Sequence, residues 1–169
     1  MWNDTDIPLA LFITFRAYGT WLHGDARESV DRHNNVYGTP RIQPNEHLES
    51  ISRARLKHEP VRLDAARRVA VEVAVMETCA KRGWGLYAFN IRTNHVHVVT
   101  NARDEDPDLV LSALKANSTR HMRERGCWTF KHSPWAEKGS KRRLWHERHV
   151  QAAINYVLNG QGDDLPKFD

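Results

Sequence analysis

Two histidines separated by one valine, His95 and His97, are the residues whose type and spacing most directly suggest chemistry. In an extended strand, alternate side chains lie on the same face, about 7 Å apart along the chain. Both imidazoles can then approach one ion, and histidine is the commonest metal-ligating side chain. A triplet of this kind also arises often by chance, and the two histidines are then polar surface residues. The pair alone leaves both interpretations open.

Tyr156 is the second candidate, because of its place on a predicted helix near the end of the chain. On a helical wheel of about 100° per residue, one apolar stripe is formed by Val150, Ile154, Val157 and Leu158. Tyr156 lies outside that stripe, on the polar side of the helix. A phenol in this position can act as a nucleophile, or it can be an ordinary exposed tyrosine.

The pattern of apolar residues predicts the elements that must position these side chains. Alternation indicates strands and a period near 3.6 indicates helices. The predicted order is strand, helix, strand, strand, helix, strand, helix, over residues 9–17, 64–81, 84–92, 95–101, 107–126, 141–145 and 149–159. Asp64 can begin the first helix and Gly83 can end it. Pro107 can begin the second helix and Gly126 can end it.

This order of elements predicts the fold class. It is the chain order of an α+β, ferredoxin-like antiparallel sheet with helices packed on one face, and the tyrosine then lies on a C-terminal helix. The length of 169 residues suits one domain over 1–169. We expect residues 18–60, rich in Gly, Asn, Asp, Pro and His, to form an irregular insertion with a short helix near 48–57. In the helix over 64–81, the expected buried side consists of Val69, Val73, Met76 and Ala80.

Positive charge is concentrated in one segment. The formal net charge is +4 and the pI about 9.3, but residues 115–148 contain ten Lys or Arg against three Glu. Tryptophans 128, 135 and 145 are interleaved with these cations, which suits base stacking between phosphate contacts. A solvated basic surface with tryptophans in the core is the alternative. The predicted DNA-binding residues are Lys115, Arg120, Arg123, Trp135, Lys138, Lys141, Arg142 and Arg143.

Cysteine content and hydropathy bear on the compartment. Cys79 and Cys127 are too few and too far apart for a disulfide framework or a cysteine-based zinc site. The first residues are acidic where a signal peptide needs basic ones, and no apolar run approaches membrane-spanning length. We therefore expect a reduced, cytoplasmic protein without a membrane partner.

Taken together, these motifs resemble the single-tyrosine transposases of the HUH superfamily, especially those associated with repetitive extragenic palindromes. The resemblance covers about residues 83–162, through the segments GWGLYAFNIRTNHVHVVTNA, LSALKANSTRHMRERG, SKRRLWHER and INYVLNGQG. An earlier segment, FITFRAYGTWLHGD, is similar to a subset of these proteins. In that family a His-hydrophobic-His pair binds a divalent ion and a tyrosine on a later helix is the nucleophile. These positions correspond to His95, His97 and Tyr156.

One position departs from the family pattern. Members usually place a Gln or Asn four residues after the tyrosine as a third metal ligand, and that position here is Gly160. If the helix continues, Asn159 lies close to Tyr156 on the wheel. If Gly160 ends the helix, Gln161 is free to turn toward the ion. Gln161 and Asn159 are therefore both candidate ligands.

The resemblance also implies an activity. It implies that the protein cuts and rejoins single-stranded DNA at hairpin-bearing repeats, through a covalent 5′-phosphotyrosine. A mixed imidazole and carboxamide site with open positions suits Mg²⁺ or Mn²⁺. The protein can work as a monomer or a homodimer. Two alternatives remain: a non-catalytic regulator that binds hairpin DNA or RNA, and a metallohydrolase in which water attacks in place of Tyr156.

Overall fold

A four-stranded antiparallel sheet is the centre of the fold. The computed structural model describes residues 6–20 and 46–169. The strands are β1 (Ala10–Arg16), β2 (Gly85–Ile91), β3 (His95–Asn101) and β4 (Ser140–Leu144), in the spatial order β2-β3-β1-β4. All neighbouring pairs are antiparallel, and β2 and β3, the strands predicted over 84–92 and 95–101, form a hairpin. The sheet confirms the α+β, ferredoxin-like prediction.

The helices begin and end near the predicted residues. They are α1 (Glu46–Ala54), α2 (Ala65–Arg82), α3 (Pro107–Glu124) and α4 (Glu147–Asn159). The Asp64 side chain accepts the Arg67 backbone N–H at the start of α2, and Gly83, with φ 69°, ends it. Helix α1 corresponds to the short helix expected inside the 18–60 insertion. Residues 21–45 of that insertion lie outside the described residues.

The two faces of the sheet are covered differently. Leu11, Ile13 and Phe15 of β1 pack in the main core, which also contains buried side chains of α2 and α3. Ala10 and Phe12 alternate with them and pack with α4 on the opposite side. We call these the helix-pair face and the α4 face. Helices α2 and α3 thus share one face, as predicted, while α4 packs on the other.

Two details of the helical packing differ from expectation. Val69 and Met76 are 47% and 42% exposed, so the expected buried side of α2 is wrong. The buried side instead carries Arg68, Val71, Val75 and Thr78, among others. Apolar residues lie on most sides of α2, and periodicity alone does not choose between them. On α4, Leu158 is exposed and the small Ala153 is buried in its place.

Candidate active site

The paired histidines lie on β3, on the α4 face of the sheet. His97 pairs with Thr14 and His95 with Arg16 across β1, so the four side chains leave the sheet on one side. The His95 and His97 ring centroids are 4.6 Å apart. His97 is buried, at 5% exposure, whereas His95 is half-buried. The strand therefore brings both imidazoles together, as their spacing predicted.

Each imidazole is held through its Nδ1 atom. His97 Nδ1 is 2.8 Å from the Thr14 hydroxyl oxygen. His95 Nδ1 is 2.6 Å from Asn94 Oδ1, which as a carbonyl oxygen accepts the ring N–H. These contacts orient the rings and leave both Nε2 atoms for other partners. An orienting hydrogen bond on the far ring nitrogen is the usual support of a metal-bound histidine.

The Nε2 atom of His97 is buried and makes no hydrogen bond to any residue that the structure describes. Burial, reinforced by the nearby His95, lowers the pKa of His97 to about 3, and the Gln161 side chain opposes this shift. His97 is therefore neutral at physiological pH. A neutral imidazole with an unused lone pair is the form that binds a metal ion.

Gln161 approaches the histidines and Asn159 does not. Gln161 Nε2 donates to the Tyr156 carbonyl at 3.2 Å, which directs Oε1 toward His95. The distance from Oε1 to His95 Nε2 is 3.1 Å. Asn159 instead donates to the Asn155 side chain at 2.8 Å. Of the two candidate ligands, only Gln161 has an oxygen beside the pair.

These atoms fit a divalent cation. The His95 ring lies between two side-chain carbonyl oxygens, with Nδ1 2.6 Å from Asn94 Oδ1 and Nε2 3.1 Å from Gln161 Oε1. Adjacent ligands of an octahedral Mg²⁺, with bonds near 2.1 Å, are about 3.0 Å apart. Among the described residues, no group of three His, Cys, Asp or Glu could hold a metal ion. A third protein ligand from the described residues would therefore be of another type, and the Gln161 amide oxygen is one that lies beside the pair.

Tyr156 lies on the same face, beside His97. Its ring centroid is 5.6 Å from that of His97 and 6.1 Å from that of Phe12. The side chain is 48% exposed, which agrees with its predicted place outside the apolar stripe. Asn90 of β2 donates to the Val157 carbonyl at 2.9 Å and ties this turn of α4 to the sheet. The phenol thus stands at the edge of the histidine pair of its own chain.

Gly160 explains the departure from the family pattern. It caps α4, and its N–H bonds the Tyr156 carbonyl. A Cβ atom at this position would come within 2.9 Å of the Tyr156 ring and 2.8 Å of its carbonyl oxygen. The missing side chain lets the chain turn beside the tyrosine, and the next residue, Gln161, takes the place near the pair.

Positive charge adjoins the histidines through Arg16. This residue is half-buried, and burial lowers its pKa. Lys115 donates to the Ala136 and Lys138 carbonyls. Burial, with the like charges of Arg16 and Lys141, lowers the pKa of Lys115 to about 8. A phosphate bound beside Lys115, Arg16 and Lys141 would reduce the electrostatic repulsion among these three cations.

The other predicted DNA-binding cations are divided between the two faces. Arg142 pairs with Phe12 and lies on the α4 face, whereas Lys141 and Arg143 pair with Ile13 and Leu11 on the helix-pair face. Lys138 is exposed in the loop before β4. On α3, Arg120 binds Glu77 and Glu124. Arg123 donates to the Phe130 and Lys131 carbonyls. The basic segment is therefore not one continuous surface.

Trp135 and Trp128 are core residues, so the stacking role expected of them is wrong. Trp135 is 4% exposed, packs edge-on against Phe15 and donates its indole N–H to Thr119 at 3.1 Å. Trp128 is 3% exposed. Neither ring has a face open to a base. Both belong to the main core of the helix-pair face.

Three polar residues of the site were not identified from the sequence. Thr14 and Asn94 orient the histidine rings, and Asn90 anchors α4. Asn94 precedes His95 and lies between the two strands predicted over 84–92 and 95–101. Thr14 is 83 residues away from His97, and only the strand register brings them together. Thr14 could have been assigned to the site only if the register between β1 and β3 had been known.

Comparison with known proteins gives a family match over the part of the chain that carries most of the site. Residues 54–156 match a family described as "Transposase IS200 like". The match covers more than half of the chain and includes both histidines and Tyr156. A search among curated proteins found no match. In the described ranges, 6–20 and 46–169, no helix has the length and apolar character to cross a membrane, and Cys79 and Cys127 are free.

Proposed function

The chain belongs to the IS200-like transposase family, and on that premise we propose that it cuts and rejoins single-stranded DNA through a covalent 5′-phosphotyrosine at Tyr156. Membership also confirms the resemblance to single-tyrosine transposases inferred from the motifs. The observation that supports the mechanism is the position of the Tyr156 ring, 5.6 Å from that of His97 on the α4 face. The proposed substrates are hairpin-bearing repeats.

His95, His97 and Gln161 would hold the divalent cation, Mg²⁺ or Mn²⁺. Two observations support this set: His95 Nε2 is 3.1 Å from Gln161 Oε1, and the His97 ring centroid is 4.6 Å from that of His95. Such a cation supplies charge neutralisation at a phosphodiester and favours the ionised form of a nearby phenol. Thr14 and Asn94 keep the rings turned toward the site, and burial keeps His97 neutral.

The proposed step is a transesterification in which the number of phosphoester bonds is unchanged. The Tyr156 oxygen forms a bond to phosphorus, and the bond from phosphorus to the 3′ oxygen breaks. The phenol gives up its proton and the departing 3′ oxygen takes one up. The 5′ side stays attached to Tyr156 and a free 3′-OH results. Rejoining to another 3′-OH reverses the step and needs no ATP, because the phosphotyrosine retains the bond energy.

Arg16 and Arg142 are the cations on the correct face to hold the strand near the scissile phosphate. Arg16 pairs with His95 across β1 and β3, and Arg142 pairs with Phe12 across β1 and β4. Arginine binds phosphate in a bidentate manner. Because the Tyr156 ring lies 5.6 Å from the His97 ring of the same chain, the proposed reaction uses the tyrosine and the histidines of one copy.

A denaturing gel tests the proposal. Wild-type protein incubated with labelled single-stranded hairpin DNA and Mn²⁺ should give a protein–DNA adduct that EDTA prevents. Tyr156→Phe should abolish the adduct and cleavage while DNA binding is retained, because only the nucleophile is removed. Tyr87→Phe, at a half-exposed tyrosine of β2, is the matched control and should react like wild type.

Two results would contradict the proposal in different ways. Undiminished cleavage by Tyr156→Phe would indicate that water attacks the phosphodiester. Tight binding of hairpin DNA or RNA by wild type, with no adduct on any hairpin or ion, would indicate a non-catalytic regulator.

A further inference from the structure

A groove outside the proposed active site lies between the end of α1, the segment that leads into α2, and the loop that follows α3. Its volume is about 890 Å³, within the range of pockets that bind small organic groups. Exposed or half-buried aromatic side chains on its wall are His58, Phe130 and His132, and cations on its wall include Lys57 and Arg67. We call it the aromatic groove. None of these five residues contributes to the site at His95 and His97.

The aromatic wall is organised by ring contacts. The His58 and His132 rings are parallel within 1°, with centroids 3.6 Å apart. Phe130 lies 5.3 Å from His132 and is 53% exposed. Behind them, the buried Trp128 contacts Phe130 and His132 edge-on. An exposed phenylalanine beside a pre-stacked imidazole pair offers flat surfaces on which another planar ring can stack.

Three cations and one acid border these rings, so positive charge predominates there: Arg53, Lys57, Arg67 and Glu59. The Arg67 guanidinium lies 5.2 Å from the Trp128 ring centroid and donates to the Cys127 carbonyl at 2.9 Å. Lys57 is exposed at the other side, where its backbone N–H donates to the Tyr18 hydroxyl. Burial and the adjacent His58 lower the pKa of His132, so the imidazole is favoured as an uncharged aromatic ring. A planar group with an attached anion matches this combination.

Backbone hydrogen bonds connect the wall of the groove to the segments that adjoin the histidine pair. Val61, on the wall of the groove, donates its backbone N–H to the Tyr18 carbonyl. Tyr18 comes two residues after Arg16, which pairs with His95 across β1 and β3. Leu63 N–H bonds the Thr93 carbonyl, in the turn just before His95. These two hydrogen bonds join the wall of the groove to the end of β1 and to the turn before His95.

We infer that the aromatic groove binds an unpaired base of the same single-stranded DNA, stacked on Phe130 and the His58–His132 pair, with the neighbouring phosphates beside Lys57 and Arg67. The inference rests on the proposed function, since it assigns a second contact to the same substrate. Duplex DNA does not present an unstacked base to such a groove. The groove therefore selects a single-stranded segment next to the cut.

An abasic scan tests the inference. Fluorescence anisotropy would measure the affinity of wild type for a labelled single-stranded oligonucleotide in EDTA, so that no cleavage occurs. Oligonucleotides with one abasic site, moved along the strand, should reveal one or two positions where binding weakens about tenfold, the range expected for one lost stacking contact. Phe130→Ala should weaken binding of the intact strand by about the same factor and remove that sensitivity. Phe130→Trp should restore both the affinity for the intact strand and the sensitivity to the abasic site.

Tyr87→Ala is the matched control, because Tyr87 is 45% exposed on β2, outside the groove. It should leave the abasic pattern unchanged, and melting curves should show that each variant is folded. Unchanged affinity and an unchanged abasic pattern in Phe130→Ala would overturn the inference. An equal loss on duplex DNA would also overturn it, since that result indicates a contact to phosphates alone. If the groove bound a peptide or another protein instead, no abasic position would weaken the binding of DNA, and the inference would fail.

The adduct assay separates this inference from the proposed function. If the adduct forms and the abasic pattern does not depend on Phe130, the groove inference fails and the nuclease function stands. If the pattern depends on Phe130 but no adduct forms, the groove stands and the nuclease function fails.

Discussion

The two faces of the sheet are built from the same strands but have different compositions. On the helix-pair face, β1 and β3 contribute Leu11, Ile13, Phe15, Val96 and Val98 to the main core, all at most 1% exposed. On the α4 face, the residues that alternate with them are polar or charged near the site, namely Thr14, Arg16, His95 and His97. A smaller core of Ala10, Val99 and Leu144 continues beneath α4.

The difference shows how a short strand serves stability and chemistry together. Successive side chains of β3 point to opposite faces, so Val96 and Val98 bury apolar surface while His95 and His97 face the site. The core on one side fixes the strand that positions the ligands on the other. Neighbouring positions of β3 should therefore give different phenotypes when substituted.

The largest contrast is expected between His97→Ala and Val98→Ala. His97→Ala should lower adduct formation at least about a hundredfold, since it removes a ligand from the site, with little change in the melting temperature. Val98→Ala should lower the free energy of unfolding by about 2 kcal/mol through a buried cavity and retain adduct formation below its melting temperature. Single-turnover adduct assays and chemical denaturation measure the two effects.

If His97→Ala and Val98→Ala lost activity and stability to a similar extent, the contrast between the two faces would be contradicted. That result would mean that the two faces of β3 do not act independently.

An intermediate effect is expected at the end of α4. Gln161→Ala should reduce the adduct rate about 10- to 100-fold and raise the Mn²⁺ concentration needed for half-maximal rate, because one weak ligand is lost. Asn159→Ala should change neither quantity, since Asn159 contacts Asn155. The measurement is the adduct rate against Mn²⁺ concentration. A larger effect at Asn159 than at Gln161 would reverse the choice of third ligand.

The smallest effect is expected in the helix layer, at Glu77. Its carboxylate binds Lys81, His121 and Asn117, and these hydrogen bonds lower its pKa well below the ordinary value of 4.5. A pKa lowered by folding stabilises the fold at neutral pH, and this contribution is lost as the pH falls below that ordinary value.

Glu77→Gln should therefore lower the melting temperature slightly at pH 7, and the difference from wild type should shrink under acidic conditions. Adduct formation should not change, because Glu77 lies on α2, away from the α4 face. Melting curves from pH 7 to pH 3 check this. A difference that grows on acidification would contradict the assigned sign.

Much of the fold and of the site could be predicted from local signals. Asp64, Gly83 and Pro107 mark helix boundaries through backbone preferences that need no tertiary context. The histidine pair and Tyr156 were identified by residue type, spacing and periodicity. The structure brings them together, although the metal and the covalent step stay predictions.

The remaining features depend on tertiary structure. Thr14 meets His97 only through the pairing of β1 with β3. The burial of Trp135, and the choice of which side of α2 is buried, follow from packing between distant segments rather than from local pattern. The split of the basic segment follows from the alternation of β4, since Arg142 and its neighbours Lys141 and Arg143 face opposite ways.

Gly160 makes the residues allowed at positions 160 and 161 depend on each other. A glutamine at 160 would place its Cβ against the Tyr156 ring and carbonyl unless the last turn of α4 changed shape. Moving the amide back by one residue would therefore demand a second, compensating substitution. In descendants of this chain, the glycine and the glutamine after it should be inherited as a unit.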